Sequence, residues 1–348
     1  MVEIWYAIVV VFLTIYVVLD GYDFGAGALH LWVARTDAER RQVLGAIGPF
    51  WDGNEVWLLA GAGLLFVGFP RVLASGASGF YFAIFLVLWC LILRGISIEF
   101  RSHVADGVWR QSWDFFFGVA SALLPVFLGA ALGNLLRGLP LNREGWFDLA
   151  LFTDFSAREP VGILDWYTVL VGVFALAVLV AHGAAFLCWK TDGLVQDRSR
   201  RVGRRVYVAV AALWPVLTIA TVKVDPTFFG GLASRPLAWL LGAAGAAGLV
   251  TALRGLSRGK DLPAFLGSCA FVAGLSTATA VCVFPMMLRA TDPALSLTAR
   301  NAGGDPAGLK TALVWFAIGF PLAVLYSVVV HRLHRGKVAA AASEAEGY

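Results

Sequence analysis

The sequence predicts an all-α polytopic membrane protein with nine transmembrane helices. Hydrophobic residues make up 59% of the 348-residue chain and charged residues only 14%, whereas soluble domains carry about 25% charged residues. The mean hydropathy is +0.77. The apolar residues lie in nine runs, each near the ~20 residues that a helix needs to cross a bilayer. These runs are 4–32, 53–70, 79–100, 115–136, 165–189, 206–223, 237–254, 263–288 and 311–331.

The first run is long for a single crossing, because at about 1.5 Å per residue it exceeds a ~30 Å hydrocarbon core. We expect its later part to tilt or to project beyond the hydrocarbon. Two long connections, 137–164 and 289–310, are rich in Pro, Gly, Asn and Asp, which favours ordered loops. The tail from Lys337 is small and polar, and we expect no regular structure there.

Small residues recur late in the first and fifth runs, in DGYDFGAGAL and AHGAAFL. This weak internal repeat, together with the count of nine runs, favours two four-helix bundles and one peripheral helix. The predicted units are 1–136, 137–288, and 289–348 with the ninth helix and a short tail. The spacing of Gly21, Gly25 and Gly27 also predicts a close approach of another helix.

The distribution of Lys and Arg predicts the orientation. The loops after the first, third, fifth and seventh runs, together with the C-terminal tail, hold 17 of these residues, and the opposite loops hold 9. Basic residues gather in cytoplasmic loops, so we expect the N-terminus outside and the C-terminus in the cytoplasm. The densest basic stretch, DRSRRVGRR, is predicted to be a short loop. The net charge of +4 therefore needs no nucleic-acid partner.

The N-terminal stretch has no basic region before its apolar run, so we do not expect a cleavable signal peptide.

Few residues of this chain suggest a metal or redox centre. The four cysteines lie in apolar runs without CxxC spacing, which favours buried thiols. His182 is the one histidine well inside a run, either hydrogen-bonded in the core or a haem ligand. The sequence has no paired histidines, phosphate-binding loop or dinucleotide fingerprint.

Six acids fall in the predicted cytoplasmic half of the first four helices. They are Asp20, Asp23, Asp52, Glu55, Glu99 and Asp114. Ionisable groups inside a membrane protein are costly and are often part of proton relays. Their distribution on one side is what a route for proton uptake from the cytoplasm would require.

Several of these acids can also be explained by a structural role instead of proton uptake. Asp52 and Glu55 have the spacing of a helix capping box, and Asp114 could cap the fourth helix. Glu99 could form an ion pair with Arg94 or Arg101 at the end of the third helix. 

Asp20 and Asp23 are harder to explain as structural residues. They are three residues apart and share a helix face. Two like charges there repel each other, so one must be protonated or paired with a cation. This favours proton handling at both positions.

Several motifs resemble those of one known family. LDGYDFGAG, IGPFWDGNEVWLL, GFP, LRGISIEFRS, AHGAAFLCWKTDG, SLTARNA and LVWFAIGFPLAVLY occur in this order. Together they resemble subunit II of the cytochrome bd-type quinol oxidases, through nearly the whole chain, and WDGNEVW is the most specific stretch.

The resemblance implies a heterodimer in a bacterial or archaeal plasma membrane. Subunit I would hold haems b and d and the quinol site, and this chain would hold no cofactor or metal. The complex would oxidise quinol and reduce oxygen to water electrogenically, using cytoplasmic protons, whereas this chain alone would be inactive. The resemblance also implies two further partners: a bound quinone or lipid, and a small accessory subunit with a single helix.

The resemblance also assigns the acids at Asp23 and Asp52 to the proton path. Glu55 stands where some relatives carry Gln. Two other functions remain open: a proton-coupled secondary transporter that uses the same acids, and a purely structural subunit that stabilises a haem-bearing partner.

The predicted orientation can be tested with a reporter fused after Lys337. We expect a reporter that works only in the cytoplasm to be active there, because the basic loops place the C-terminus inside. Activity of a reporter that works only after export would reverse the assignment.

Overall fold

The computed structural model describes residues 1–339, and this part of the chain is predominantly helical. Its twelve helices are α1 Val2–Val33, α2 Asp37–Ile47, α3 Trp51–Gly68, α4 Pro70–Gly79, α5 Tyr81–Phe100, α6 Gly107–Arg137, α7 Trp166–Lys190, α8 Gly193–Val224, α9 Thr227–Ser234, α10 Pro236–Arg258, α11 Asp261–Val283 and α12 Pro306–Leu333. Residues 340–348, most of the tail predicted to lack regular structure, lie outside the described residues.

Eight helices within residues 1–339 are long and apolar enough to cross a membrane: α1, α5, α6, α7, α8, α10, α11 and α12. Each corresponds to one predicted run. The remaining run, 53–70, is covered by α3, which has 18 residues and is made less apolar by Asp52, Asn54 and Glu55. The all-helical, multi-pass class is therefore confirmed. The count of nine spans, the two bundles and the three predicted units stay predictions.

The structure corrects the prediction for several polar stretches. The basic stretch DRSRRVGRR is not a loop but belongs to the first half of α8. The short helices α2, α4 and α9 were not predicted. The reason is that apolarity indicates where a helix can enter a bilayer, whereas arginine is itself a good helix former.

Helices α1 and α7 cross at very short range in the middle of the fold. A Cβ on Gly25 would clash with the carbonyl oxygen of Leu179 and lie 2.8 Å from the Cα of Gly183. A Cβ on Gly183 would in turn meet the backbone at Gly25, and one on Gly27 would clash with Ser121. The predicted close approach at the glycines of α1 is confirmed. Around this crossing α1 also packs against α3, α6 and α11.

Helix α12 lies at the edge of the fold. It packs mainly against α3, and none of its most apolar stretch is buried. Its C-terminal end is nevertheless fixed to α7, because the Lys190 ammonium donates to the His334 carbonyl at 2.5 Å and the Val338 amide donates to the Lys190 carbonyl at 2.7 Å.

The two long loops are ordered, as predicted. In the first, the buried Arg137 guanidinium donates to the Gly162 carbonyl at 2.9 Å and forms an ion pair with Asp165. In the second, the strands β1 Met286–Leu288 and β2 Leu297–Thr298 pair antiparallel.

The α1–α7 crossing predicts that Gly25→Ala destabilises the protein. Because the added methyl group meets backbone atoms that cannot turn away, we expect a loss of at least about 1–3 kcal/mol, the usual range for overpacking. Thermal unfolding of the purified protein and its yield in membranes measure the effect.

Gly63→Ala is the matched control, because a Cβ there meets no atom within 4 Å and alanine favours a helix. Equal stability of the two variants would contradict the importance of this crossing.

Candidate functional site

Three helices bring a set of charged and polar side chains together inside the fold. Asp20 and Asp23 come from α1, Asn54 and Glu55 from α3, and Arg94 from α5. We call these five residues the Arg94 cluster. Asp20, Asp23 and Arg94 are each 0% exposed. Four of the residues singled out in the sequence thus meet here.

Arg94 is the centre of this cluster. Its Nη1 lies 2.8 Å from Asp20 Oδ1 and its Nη2 lies 2.5 Å from Glu55 Oε1. The guanidinium also lies 4.6 Å from the centre of the Phe24 ring, a distance suited to a cation–π contact. Since arginine keeps its proton in proteins, the cluster contains one permanent positive charge.

Asp23 is bound differently from Asp20. Its Oδ2 accepts a hydrogen bond from Asn54 Nδ2 at 2.8 Å, and the same nitrogen lies 2.8 Å from the Tyr22 hydroxyl and 3.3 Å from the Leu19 carbonyl. The other oxygen of Asp23, Oδ1, is buried and has no hydrogen-bond partner among the described residues. Asp23 therefore retains a free lone-pair site.

The charges of the Arg94 cluster do not balance when all its groups are ionised. The cluster contains three carboxylates and one guanidinium, and uncompensated charge in an apolar interior is very costly. Bound protons remove this excess. The arrangement can therefore take up and release protons, which an ion pair of matched charge would not do.

Asp52 does not belong to the Arg94 cluster. It is exposed and makes no hydrogen bond or ion pair with any described residue. The capping-box interpretation is wrong, because α3 begins at Trp51 after Phe50, without a side-chain cap. Glu55, the other half of the expected box, pairs with Arg94 instead.

The capping interpretation of Asp114 is also wrong. Helix α6 begins earlier, at Gly107, and Asp106 caps it by accepting from the Trp109 amide at 2.8 Å. Glu99 is exposed, and no ion pair joins it to Arg94 or Arg101. Its carbonyl oxygen lies 2.8 Å from His103 Nδ1.

Asp114 is instead the buried centre of a second, partly buried set, which we call the Asp114 cluster: His30, Asp37, Arg40, Arg101 and Asp114. His30 Nε2 and Arg101 Nε each lie 2.6 Å from Asp114 Oδ1, and Arg40 Nη1 lies 2.9 Å from Oδ2. Arg101 Nη2 also reaches Asp37 Oδ1 at 2.7 Å. These contacts join α1, α2 and α6 to the end of α5.

Asp37 lies outside the membrane-spanning segments. Partial burial alone would raise the pKa of its carboxyl, but the hydrogen bond and charge of Arg101, with the charges of Arg41 and Arg110, hold this pKa below its ordinary value. Asp37 is therefore ionised at neutral pH, and the Asp114 cluster is well suited to a structural role.

Sequence reasoning missed Asn54 and His30 as members of these clusters, and Tyr22 as a hydrogen-bond partner of Asn54. A polar residue next to an acid in an apolar run is the signal that could have identified Asn54. For His182 the hydrogen-bonded interpretation is confirmed, because its Nδ1 lies 2.7 Å from Ser268 Oγ and its Nε2 lies 2.9 Å from the Val18 carbonyl. Within residues 1–339, no group of three or more His, Cys, Asp or Glu residues could hold a metal ion.

The geometry predicts that Arg94→Gln strongly destabilises the protein. The change leaves Asp20 and Glu55 without their cation, and removing one member of a buried ion pair costs about 3–5 kcal/mol. Thermal unfolding of the purified protein would measure this loss.

The double variant Arg94→Gln with Asp20→Asn should recover part of that stability, because it removes one of the stranded charges. Arg254→Gln, on an exposed face of α10, is the control and should change little. If Arg94→Gln were as mild as the control, the guanidinium would not neutralise these acids.

Comparison with known proteins agrees with the resemblance noted in the sequence. The family model described as cytochrome bd terminal oxidase subunit II matches residues 1–334. Cytochrome bd-I ubiquinol oxidase subunit 2 of Escherichia coli (strain K12) is 31% identical over 93% of this chain and 91% of its own length. Cytochrome bd ubiquinol oxidase subunit 2 of Bacillus subtilis (strain 168) is 32% identical over 69% of this chain and 68% of its own.

A solved structure supports the fold. A chain of the bd oxidase from Geobacillus thermodenitrificans superposes with a TM-score of 0.73 at 19% identity, covering 95% of this chain and 98% of that one. Together with the family match over residues 1–334, this leads to one conclusion: the chain belongs to the cytochrome bd terminal oxidase subunit II family.

Proposed function

We propose that this chain is the haem-free subunit of a quinol:oxygen oxidoreductase, and that it carries part of the path by which cytoplasmic protons reach the site of oxygen reduction. Family membership makes it a subunit of a bd-type oxidase. The observation that carries the proton role is the Arg94 cluster, in which Asp20 and Glu55 pair with the one guanidinium and a third carboxylate, Asp23, is bound by Asn54.

The cluster gives each residue a distinct role. Arg94 holds Asp20 and Glu55 by ion pairs, which keeps negative charge fixed beside Asp23. Asp23, held at one oxygen and free at the other, is the group that binds and releases the proton. Glu55 has a side chain that is 24% exposed, so it connects the buried cluster with the surface of the chain.

Asp52 has a separate place in this proposal. It is exposed near the start of α3, two residues before Asn54, which bonds to Asp23. An exposed carboxylate here can collect protons at the membrane surface and raise their local concentration near the cluster.

The partner in this proposal is a haem-bearing subunit I, which holds haems b and d. Those haems would transfer electrons from quinol to oxygen, and this chain would contribute protonatable groups. The N-terminus lies outside and the C-terminus in the cytoplasm, as the basic residues favour. A bound quinone or lipid and a small accessory subunit belong to the same proposal.

A purely structural role is the second candidate, and the Asp114 cluster favours it. That cluster contains enough arginine to neutralise its acids, and it ties α2 and the end of α5 to α1 and α6. It gives a bd-type subunit a rigid framework without moving a proton. The two candidates differ in what they require of Asp23.

The proton role predicts that Asp23→Asn and Asp52→Asn lower oxygen-linked quinol oxidation in the purified complex. Asparagine keeps shape and hydrogen bonding but does not titrate, so assembly and haem content should stay near those of the unchanged enzyme. Turnover per haem should fall about a hundredfold or more at Asp23, in line with the ordinary contribution of a proton-transfer group.

Asp106→Asn is the matched control. Asp106 is an exposed acid at the same end of the bundle and caps α6, and asparagine caps a helix about as well as aspartate. Wild-type turnover in both the Asp23 and the Asp52 variants would rule out the proton role and leave the structural one.

A further inference from the structure

Asp23 is 0% exposed, so a proton from the cytoplasm must reach it through other groups. Hydrogen bonds lead outward from Asp23 in one direction. Asn54 joins it to Tyr22, which is also 0% exposed, and the Tyr22 hydroxyl lies 3.4 Å from Nε2 of His331. His331 is half-buried in the last turn of α12. The series of contacts thus ends at a titratable side chain that solvent can reach.

The ring of His331 is held in a definite orientation. Its Nδ1 lies 2.8 Å from the Ser327 carbonyl, so Nδ1 carries a hydrogen and donates it. The ring stacks on Phe50 with centroids 4.6 Å apart. In the neutral ring Nε2 then accepts from the Tyr22 hydroxyl, and in the protonated ring Nε2 donates to it. The same contact serves both states.

The remaining gap lies between Tyr22 and Asp23. The Tyr22 hydroxyl oxygen and Asp23 Oδ2 both lie 2.8 Å from Asn54 Nδ2, so the two oxygens are at most about 5.6 Å apart. A single bridging water spans such a distance with two ordinary hydrogen bonds. The unpartnered Oδ1 of Asp23 provides a second point to which that water can donate.

We propose that His331 takes up protons at the surface for Asp23 and that Tyr22 relays them, which rests on the proposed role of Asp23. A proton binds Nε2 of His331. Tyr22 then gives its hydroxyl proton to a water, the water protonates Asp23, and Tyr22 recovers a proton from His331. His331 and Tyr22 end as they began, and one proton has moved inward.

This route differs from one that begins at Asp52. Asp52 is exposed, but no described hydrogen bond links it to Asn54, Asp23 or Arg94, whereas His331 is connected to Asp23 through named side chains. In this arrangement α12, which packs mainly on α3, supplies the outermost group of the path.

The experiment uses the assembled oxidase with its haem-bearing subunit. We expect His331→Gln and Tyr22→Phe to lower turnover per haem about fivefold or more at unchanged haem content. Phenylalanine keeps the stacking of Tyr22 on Phe186, whose centroids are 4.1 Å apart, and removes only the hydroxyl. In His331→Gly, added imidazole should restore much of the turnover, an effect that a packing defect would not show.

His334→Gln is the matched control. His334 follows His331 by three residues, and its ring centroid lies 6.0 Å from that of Phe50. Its Nδ1 lies 3.1 Å from the Val330 carbonyl oxygen of the same helix. It has no described contact with Tyr22, so its replacement should leave turnover near wild type and imidazole should have no effect.

The outcomes separate this inference from the proposed function. Slow turnover in Asp23→Asn with wild-type turnover in His331→Gln and Tyr22→Phe would overturn the inference and keep the proposed function. Wild-type turnover in Asp23→Asn would overturn the inference, and wild-type turnover in Asp52→Asn as well would also overturn the proposed function. Equal losses in His331→Gln and His334→Gln, with no rescue of His331→Gly by imidazole, would assign His331 to packing and overturn the inference.

Discussion

The backbone contact between α1 and α7 is the constraint on which the rest of the structure depends. Because Gly25 and Gly183 allow these helices to touch, α1 is enclosed by α3, α6, α7 and α11. Its polar residues Asp20 and Asp23 are therefore fully buried. Each must find its partner on a neighbouring helix, since an unpaired charge there would cost several kcal/mol. The partners of Asp20 and Asp23 on α3 and α5 follow from that enclosure.

The Arg94 cluster and the Asp114 cluster are both built from acids and arginines, but they differ in how readily their central acid can bind a proton. Around Asp114 both carboxylate oxygens are occupied, by His30, Arg40 and Arg101, so an added proton would have to displace a strong ion pair. Around Asp23 one oxygen is free and the nearby charge is negative in excess. The first arrangement opposes proton uptake and the second permits it. The number of arginines around each acid, and not the acid itself, makes the difference.

The apolar runs predicted the spanning helices well, because burial in a bilayer requires long, continuous apolarity. They could not predict how the polar ends fold, as the α8 basic stretch shows. The WDGNE stretch fits a capping box by spacing alone, yet Glu55 turns to Arg94. A cap contributes about 1 kcal/mol, whereas a hydrogen bond to a charged group such as Arg94 contributes about 1.5–3 kcal/mol. The ion pair with Arg94 therefore outweighs the helix cap that the local spacing predicts. The sequence alone cannot reveal this, because it does not show that Arg94 lies next to Glu55 in space.

Helix α12 lies at the edge of the fold, yet specific contacts position it along its length. Although none of its most apolar stretch is fully buried, the rings of Phe316 and Phe320 pack against Phe12. Its C-terminal end is also held by the Lys190 ammonium on the His334 carbonyl and by the pairing of Val338 with Lys190. The stack of His331 on Phe50 adds to this. Since Lys190 closes α7 and Phe50 directly precedes α3, the same elements that bury Asp23 also set the distance between His331 and Tyr22. Access to the buried acid is thus coupled to the position of an exposed helix.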